Sequence, residues 1–150
     1  MKFYTSYYAN IKNIPTNYLL VGISRFCPEW LHDGEPSNFM FIRGNFLAPS
    51  SELLEKKKTS EINQAEFTEF YKKQISDFFD GNVQFKDWIN ILEMQFSENY
   101  DAIVFLCYEQ PTSFCHRHIL RDIFNDNQFH IEEHPYPVEK REKTNSTPLF

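Results

Sequence analysis

The chain has 150 residues and a formal net charge of −6, with 16 Phe, 8 Tyr and 2 Trp. This length predicts one domain with a real core, and the ring count predicts that the core is aromatic. The net negative charge argues against binding to the nucleic-acid backbone, because such binding needs clustered Lys and Arg. No apolar run approaches the ~18 residues of a membrane span. Three cysteines without framework spacing, and a polar start without a secretory apolar segment, predict free thiols in the cytoplasm.

The first 49 residues predict two strands and a long irregular segment. Residues 2–9 are rich in aromatic and β-branched side chains. Residues 18–24 form a near-continuous apolar run, which is typical of a strand covered on both faces. Residues 31–49 contain Gly34, Pro36, Gly44 and Pro49 and have no clean period. They therefore predict a long loop, and such loops are often functional.

Three helices are expected in the middle of the chain. Ser50 or Ser51 can cap a short helix that ends at Lys58. Aromatic and aliphatic residues spaced by three and four predict amphipathic helices over residues 61–79 and 85–96. Gly81 follows the first of these two and can end it.

The remaining elements are a strand, a helix and a short strand. Residues 101–107 give the clearest strand pattern of the chain. The sequence Pro-Thr-Ser at 111–113 predicts a helix start, with Thr112 or Ser113 as N-cap and an end near Asn125. Residues 129–133 predict the last strand. Residues 1–134 are thus expected to form a single α/β domain, and residues 135–150 a C-terminal arm or tail.

Strands separated by helices predict an α/β fold: a three-layer, Rossmann-like domain with a mainly parallel sheet of about 4–5 strands. Ligands of such sheets bind beyond the carboxyl ends of the strands. We therefore expect the polar residues at three strand ends to line one crevice and bind a ligand. These residues are Ser6, Tyr7, Ser24, Arg25, Cys107 and Tyr108.

The turn after the clearest strand carries the residues best suited to chemistry. Cys115 is expected in the first helical turn, where unpaired N–H groups and the helix dipole favour a thiolate. His116 and Arg117 would add positive charge, and Arg117 can clamp an anion. Glu109 lies across the turn and could act as a base or orient His116. We predict catalytic roles for Cys115, Glu109 and His116, and a ligand-binding role for Arg117.

Simpler interpretations of these residues stay open. Cys115 could be an inert buried thiol, and Arg117 could simply pair with Asp122 or Glu109. His118 and Arg121 are expected at the surface. No metal site is predicted, because adjacent or alternating positions on one helix are not expected to converge on one ion. The absence of glycine-rich phosphate loops argues against the common ATP and dinucleotide modes.

At these residues the chain resembles the family named domain of unknown function 488. The most specific match is Leu106-Cys-Tyr-Glu109 followed by Phe114-Cys-His-Arg-His118, and further matches are Lys2-Phe-Tyr-Thr-Ser-Tyr-Tyr-Ala9, Val21-Gly-Ile-Ser-Arg-Phe-Cys-Pro28 with Trp30, and Leu47-Ala-Pro-Ser50. The resemblance covers about residues 1–130 and implies a small three-layer α/β domain. It also implies one site that contains Ser6, Arg25, Cys107, Glu109, Cys115, His116 and Arg117. It implies no activity.

Three functions compete at this stage. The first is an enzyme acting on a small polar or anionic ligand that resembles a nucleotide, a nucleobase or a sugar phosphate. The second is a non-catalytic module that binds a nucleotide or a nucleic acid in the same pocket, with aromatic side chains stacking on a base. The third is an interaction protein that works through its tail. The sequence predicts no particular cofactor and no oligomeric state.

Overall fold

The computed structural model describes residues 1–31, 39–81 and 83–137. Across these residues it has five strands, four α-helices and two short 3-10 segments. The strands are β1 (Lys2–Tyr7), β2 (Tyr18–Gly22), β3 (Phe41–Arg43), β4 (Ala102–Cys107) and β5 (Ile131–Glu133). The helices are α1 (Ser51–Lys58), α2 (Gln64–Asp80), α3 (Phe85–Phe96) and α4 (His116–Asp126), and the 3-10 segments are Tyr8–Asn13 and Asn45–Leu47.

The five strands form one all-parallel sheet in the order β3-β2-β4-β1-β5. The central strand β4 is buried along its whole length. It pairs with β1 so that Tyr7 lies opposite Cys107, and with β2 so that Gly22 lies opposite Leu106. The carboxyl ends of these three strands therefore meet at one edge, and the predicted Rossmann-like α/β fold is confirmed.

Alternate residues of β4 serve two unequal covering layers. Ile103, Phe105 and Cys107 pack in the core formed with the four α-helices. Val104 and Leu106 point to the opposite face, where Tyr8 and Ile11 of the 3-10 segment and neighbouring loop residues cover the sheet. Because side chains alternate along a strand, Cys107 is the last residue of the row that faces the helices.

Local capping explains where the first helices begin. The Ser50 side chain accepts a hydrogen bond from the Leu53 N–H at 3.1 Å and so caps α1, as predicted. Asn63 and Glu66 form a reciprocal capping box that starts α2 three residues later than the hydrophobic period suggested. Each cap satisfies N–H groups that the helix itself leaves unpaired and stabilises its helix by about 1 kcal/mol.

Two predictions about local structure are wrong. The segment 31–49 is not irregular throughout, because Phe41–Arg43 forms β3 at the sheet edge beside β2. Helix α4 begins at His116 rather than near Thr112, because Gln110–Ser113 forms a turn in which the Ser113 N–H donates to the Gln110 carbonyl at 3.0 Å. Cys115 is the extended N-cap residue of α4 and lies just before the helix.

Only the first three residues of the predicted C-terminal arm, 135–137, are among the described residues. Residues 138–150 lie outside the described residues, as do residues 32–38 of the predicted loop. Just after β5, the His134 N–H donates to the Thr5 carbonyl at 2.8 Å, and Asn10 Nδ2 donates to the Pro135 carbonyl at 3.1 Å. The domain boundary at residue 134 stays a prediction. None of the described helices has the length and apolar character needed to cross a membrane.

Gly22 provides a test of how closely the strand-end region is packed. A Cβ atom added there would lie 2.8 Å from Phe41 Cζ and 2.9 Å from the Tyr8 hydroxyl oxygen. We expect Gly22→Ala to lower the free energy of unfolding by about 1–3 kcal/mol, because a buried ring must shift to make room. Urea denaturation measures this loss. Gly81→Ala is the matched control, since its nearest contact would be 3.6 Å away and its backbone is helical; equal losses in both variants would contradict the packing argument.

Candidate functional site

Two sulfur atoms lie in contact at the carboxyl end of the central strand. Cys107 ends β4, and Cys115 precedes α4, so the strand and the helix deliver their sulfurs to the same point. The two Sγ atoms are 2.9 Å apart, and both residues are free cysteines that are only 2% exposed. Two ionisable groups this close do not titrate independently, so the two thiols gain and lose protons as one pair.

The His116 imidazole faces this sulfur pair in a defined tautomer. Its Nε2 lies 2.7 Å from the Ile23 carbonyl oxygen, which can only accept, so Nε2 carries the proton. Nδ1 lies 3.7 Å from Cys107 Sγ and 3.9 Å from Cys115 Sγ. The neutral ring therefore presents a lone pair to the sulfurs, and the charged ring presents an N–H. His116 can accept a thiol proton or stabilise a thiolate without moving.

The surroundings place the negative charge on Cys115. The hydrogen bond from Cys107 lowers the pKa of Cys115 most, and it outweighs the opposing effect of burial. The neighbouring His116 and the backbone N–H of Arg117 lower this pKa further, although the sulfur makes no regular capping hydrogen bond. The same shared hydrogen bond and burial raise the pKa of Cys107. These effects lower the pKa of Cys115 relative to that of Cys107, so they favour Cys115 as the sulfur that carries the negative charge when the pair ionises.

Glu109 lies at the outer rim of this sulfur pair. Its Oε1 is 3.5 Å from Cys107 Sγ, and the residue is exposed. Its backbone carbonyl accepts a hydrogen bond from Arg117 Nη1 at 2.6 Å. The loop that carries Glu109 is therefore tied to the first turn of α4. The Glu109 carboxylate is the acidic group positioned to exchange protons between Cys107 and solvent.

Arg117 is buried and engaged by the protein itself. Its Nε and Nη2 donate to the two carboxylate oxygens of Glu133 at 3.2 and 3.0 Å. Glu133 also accepts from Thr5 Oγ1 at 2.6 Å and from Arg121 Nη1 at 3.2 Å. In the structure Arg117 positions the β4–α4 loop, and its role as an anion ligand stays a prediction. Glu133 was missed, although it ends the last strand, where the strand-end rule would have found it.

Tyr7 lies on the same face as the sulfurs, with its ring 5.9 Å from the Arg117 guanidinium carbon. Ser6 and Ser24 lie on the opposite face of the sheet. Ser6 accepts a hydrogen bond from Asn10 Nδ2 at 3.0 Å. The Ser24 hydroxyl donates to the Phe26 carbonyl at 2.6 Å and contacts the Tyr8 hydroxyl at 2.7 Å.

The residues predicted at three strand ends thus divide into two groups. The structure brings together Tyr7, Cys107, Glu109, Cys115, His116 and Arg117. Exposed Arg25 lies with Ser24 along a separate narrow crevice, lined also by Tyr8 and Gly22, that has no room for a water-sized molecule in this conformation. Exposed Tyr108 packs edge-on against Tyr8 with ring centroids 4.8 Å apart, so it belongs to that second group.

Three of these side chains could also hold a metal ion. The donor atoms of Cys107, Cys115 and His116 all lie within 4.8 Å of one another. The expectation that adjacent residues cannot converge is wrong here, because Cys115 is extended and precedes the helix. Tetrahedral zinc with Zn–S bonds of ~2.3 Å would hold two sulfurs ~3.8 Å apart, whereas these are 2.9 Å apart. A zinc ion bound by both sulfurs would therefore require them to move apart.

His118 and Arg121 were both predicted to lie at the surface. His118 does not belong to the group formed by Cys107, Cys115 and His116. Both of its ring nitrogens are buried and have no hydrogen-bond partner within the described part of the chain. Burial lowers the pKa of His118, and the nearby charges of Arg117 and Arg121 act in the same direction. His118 is therefore half-buried, with its ring nitrogens turned away from solvent. Arg121 is partly buried against Glu133.

Comparison with known proteins identifies a family that the chain matches. The family model DUF488-N3a, described as the active DUF488-N3 subclade, matches residues 11–128. This range includes the Cys107, Glu109, Cys115 and His116 cluster and helix α4. No curated protein and no solved structure matches the chain.

We expect the buried ion pair between Arg117 and Glu133 to contribute strongly to the free energy of unfolding. Glu133→Gln leaves the Arg117 guanidinium, whose side chain is fully buried, without a carboxylate partner. We expect a loss of about 3–5 kcal/mol in the free energy of unfolding. The matched control is Asp77→Asn, which breaks the exposed pair with Lys73 and should cost about 0.5 kcal/mol or less. Urea unfolding of both variants checks this, and a Glu133→Gln loss as small as the control would refute it.

Proposed function

The chain belongs to the DUF488-N3a family, and we propose that it is an enzyme in which the Cys115 thiolate acts on a small polar or anionic ligand. The ligand class is nucleotide-, nucleobase- or sugar-phosphate-like. One observation carries the proposal: Cys115 Sγ contacts the Cys107 thiol at 2.9 Å while His116 Nδ1 faces both sulfurs. The description of the matching subclade as active supports catalysis over passive binding.

The roles of the residues follow from their positions. Cys115 attacks an electrophilic carbon of the ligand, and the leaving group takes the proton held between His116 and the sulfurs. The Ile23 carbonyl keeps the His116 ring oriented throughout. Glu109 or His116 then removes a proton from a water molecule that releases the product and restores the thiolate. The ligand reaches the buried sulfurs by way of the loop that carries the exposed Glu109.

Side chains around the strand ends support a polar or anionic ligand. Arg25 and Arg43 are exposed and flank the narrow crevice at the ends of β2 and β3. Two cations at one mouth raise the local concentration of an anion. Large exposed aromatic side chains follow the carboxyl ends of β2 and β4, at Phe26, Trp30 and Tyr108.

These aromatic side chains also favour the alternative function, a non-catalytic module that binds a nucleotide or a nucleic acid. Phe26 is 78% exposed and Trp30 is 55% exposed, so both can offer a ring face to a base. In this alternative the sulfur pair would only shape the pocket. Catalysis is preferred because two sulfurs in contact beside an oriented imidazole have no purpose in stacking.

The thiolate can be tested by alkylation with iodoacetamide as a function of pH. In a Cys27→Ser background, we expect Cys115 to keep reacting at pH values where an ordinary thiol, with a pKa of ~8.5, is protonated. Cys107→Ala removes the hydrogen bond that lowers the pKa of Cys115. The rate of this variant near pH 6 should therefore fall about tenfold or more. Mass spectrometry locates the modified residue.

The shape of the pH profile decides this test, because burial slows alkylation at every pH alike. Cys115→Ser is the control and should abolish the acid-resistant reaction. If the alkylation rate of Cys115 rises with pH only where an ordinary thiol ionises, the proposal that Cys115 is the nucleophile is wrong.

Catalysis and binding can be separated with a panel of nucleoside monophosphates, nucleobases and sugar phosphates. We expect Cys115→Ser to retain binding of one panel member, measured by native mass spectrometry, while product formation is lost. Arg25→Ala should weaken binding of a phosphorylated member about tenfold or more, since a charged hydrogen bond is worth about 1.5–3 kcal/mol. Lys86→Ala, an exposed charge on α3, is the control. Tight binding with no turnover by the unmodified protein would favour the binding module instead.

A further inference from the structure

The sulfur pair has a second reactivity besides attack on carbon. We infer that Cys115 is a modification site for a hydroperoxide, and that Cys107 then closes a Cys107–Cys115 disulfide. This inference rests on the proposed function, because it uses the same Cys115 thiolate. It goes further by naming an oxidant class and by giving Cys107 a reaction of its own.

The geometry favours a bond within the pair. The two Sγ atoms are 2.9 Å apart, which is less than 1 Å beyond the disulfide bond length of ~2.05 Å. Their backbones are fixed by neighbours on both sides: Cys107 by the register of β4 with β1, and Cys115 by the Arg117 contacts to the Glu109 carbonyl and to Glu133. The pair therefore needs no partner from another chain.

The third cysteine provides an internal reference. Cys27 is half-buried, and its sulfur lies 4.0 Å from the Leu31 carbonyl oxygen. It has no contact with an imidazole or a second sulfur among the described residues. A general oxidant would reach Cys27 at least as readily as the two deeply buried sulfurs. Selective loss of the buried pair would thus reflect its chemistry rather than its exposure.

The first oxidation step uses the thiolate. Cys115 S⁻ attacks one peroxide oxygen, the O–O bond breaks, and the departing alkoxide takes a proton from the His116 Nδ1–H. The products are a Cys115 sulfenic acid, an alcohol and a neutral His116. Two electrons have moved from sulfur to the peroxide.

The second step uses the other sulfur. The Cys107 thiol gives its proton to His116 Nδ1 and attacks the Cys115 sulfur, and the S–O bond breaks. The departing hydroxide takes the proton back from His116 and leaves as water. In total, two thiols and one hydroperoxide give one disulfide, one alcohol and one water. Because the product has no thiolate, it cannot perform the proposed attack on carbon until a dithiol reduces it.

The test uses the full chain and hydrogen peroxide as the probe. One equivalent of peroxide is expected to lower the number of titratable thiols from three to one, with a mass loss of two hydrogens per chain and no covalent dimer. Peptide mapping should find a Cys107–Cys115 bridge and an unmodified Cys27, and dithiothreitol should restore all three thiols. Cys107→Ser should leave Cys115 without a resolving thiol, so that it gains oxygen atoms instead. Cys115→Ser should stop the reaction altogether.

Several results would overturn the inference. They are oxygen adducts on Cys115 in the unmodified protein, a bridge that includes Cys27 or a second chain, and a co-purifying metal ion that holds both sulfurs. Peptide mapping of the peroxide-treated unmodified protein tests the inference even if a variant fails to fold. It also stands apart from the alkylation profile: a Cys115 that is acidic but ends as a sulfinic acid would contradict this inference and keep the proposed enzyme.

Discussion

A buried guanidinium must find partners within the protein, and Arg117 finds them on two sides of the site. Glu133 at the end of β5 and the Glu109 carbonyl after β4 both accept its hydrogen bonds, while Thr5 of β1 supports Glu133. Leaving such a charge unpaired is costly, so this arrangement fixes the start of α4 relative to the sheet. Cys115 lies over Cys107 as a consequence, and the sulfur pair depends on the ion pair behind it.

Strand alternation divides the strand-end region into two halves. Cys107 points to the helix-covered face, where Cys115 and His116 meet it. Even-numbered positions of β1 and β2 point to the thinner face, where Ser6 and Ser24 contact Asn10 and Tyr8. The two halves differ in chemistry, because one holds sulfur and imidazole in a dry environment and the other holds hydroxyl groups beside an exposed arginine.

The sequence was informative wherever a pattern extended over many residues. β4, α2 and α3 follow from their apolar periods, and the parallel order that joins three strand ends follows from their alternation with helices. β3 has three residues, which is too short for any period, and it exists because it pairs with β2. The start of α4 was misplaced because Thr112 and Ser113 have cap-forming side chains but lie in a separate turn. Glu133 ends β5 and could have been found by the strand-end rule, whereas its bonds to Thr5, Arg117 and Arg121 join distant residues, which spacing alone does not reveal.

The hydrogen bond from His116 to the Ile23 carbonyl has a mechanical consequence. That carbonyl belongs to the same peptide unit as the nitrogen of Ser24, whose hydroxyl contacts Tyr8 on the other side of the sheet. A peptide unit is planar and stiff, so its atoms move together as a rigid group. Any tilt of this peptide unit that accompanies a shift of Ser24 also moves the oxygen that holds the imidazole. The peptide unit between Ile23 and Ser24 therefore couples the two faces of the domain, because a movement on one face is transmitted to the imidazole on the other.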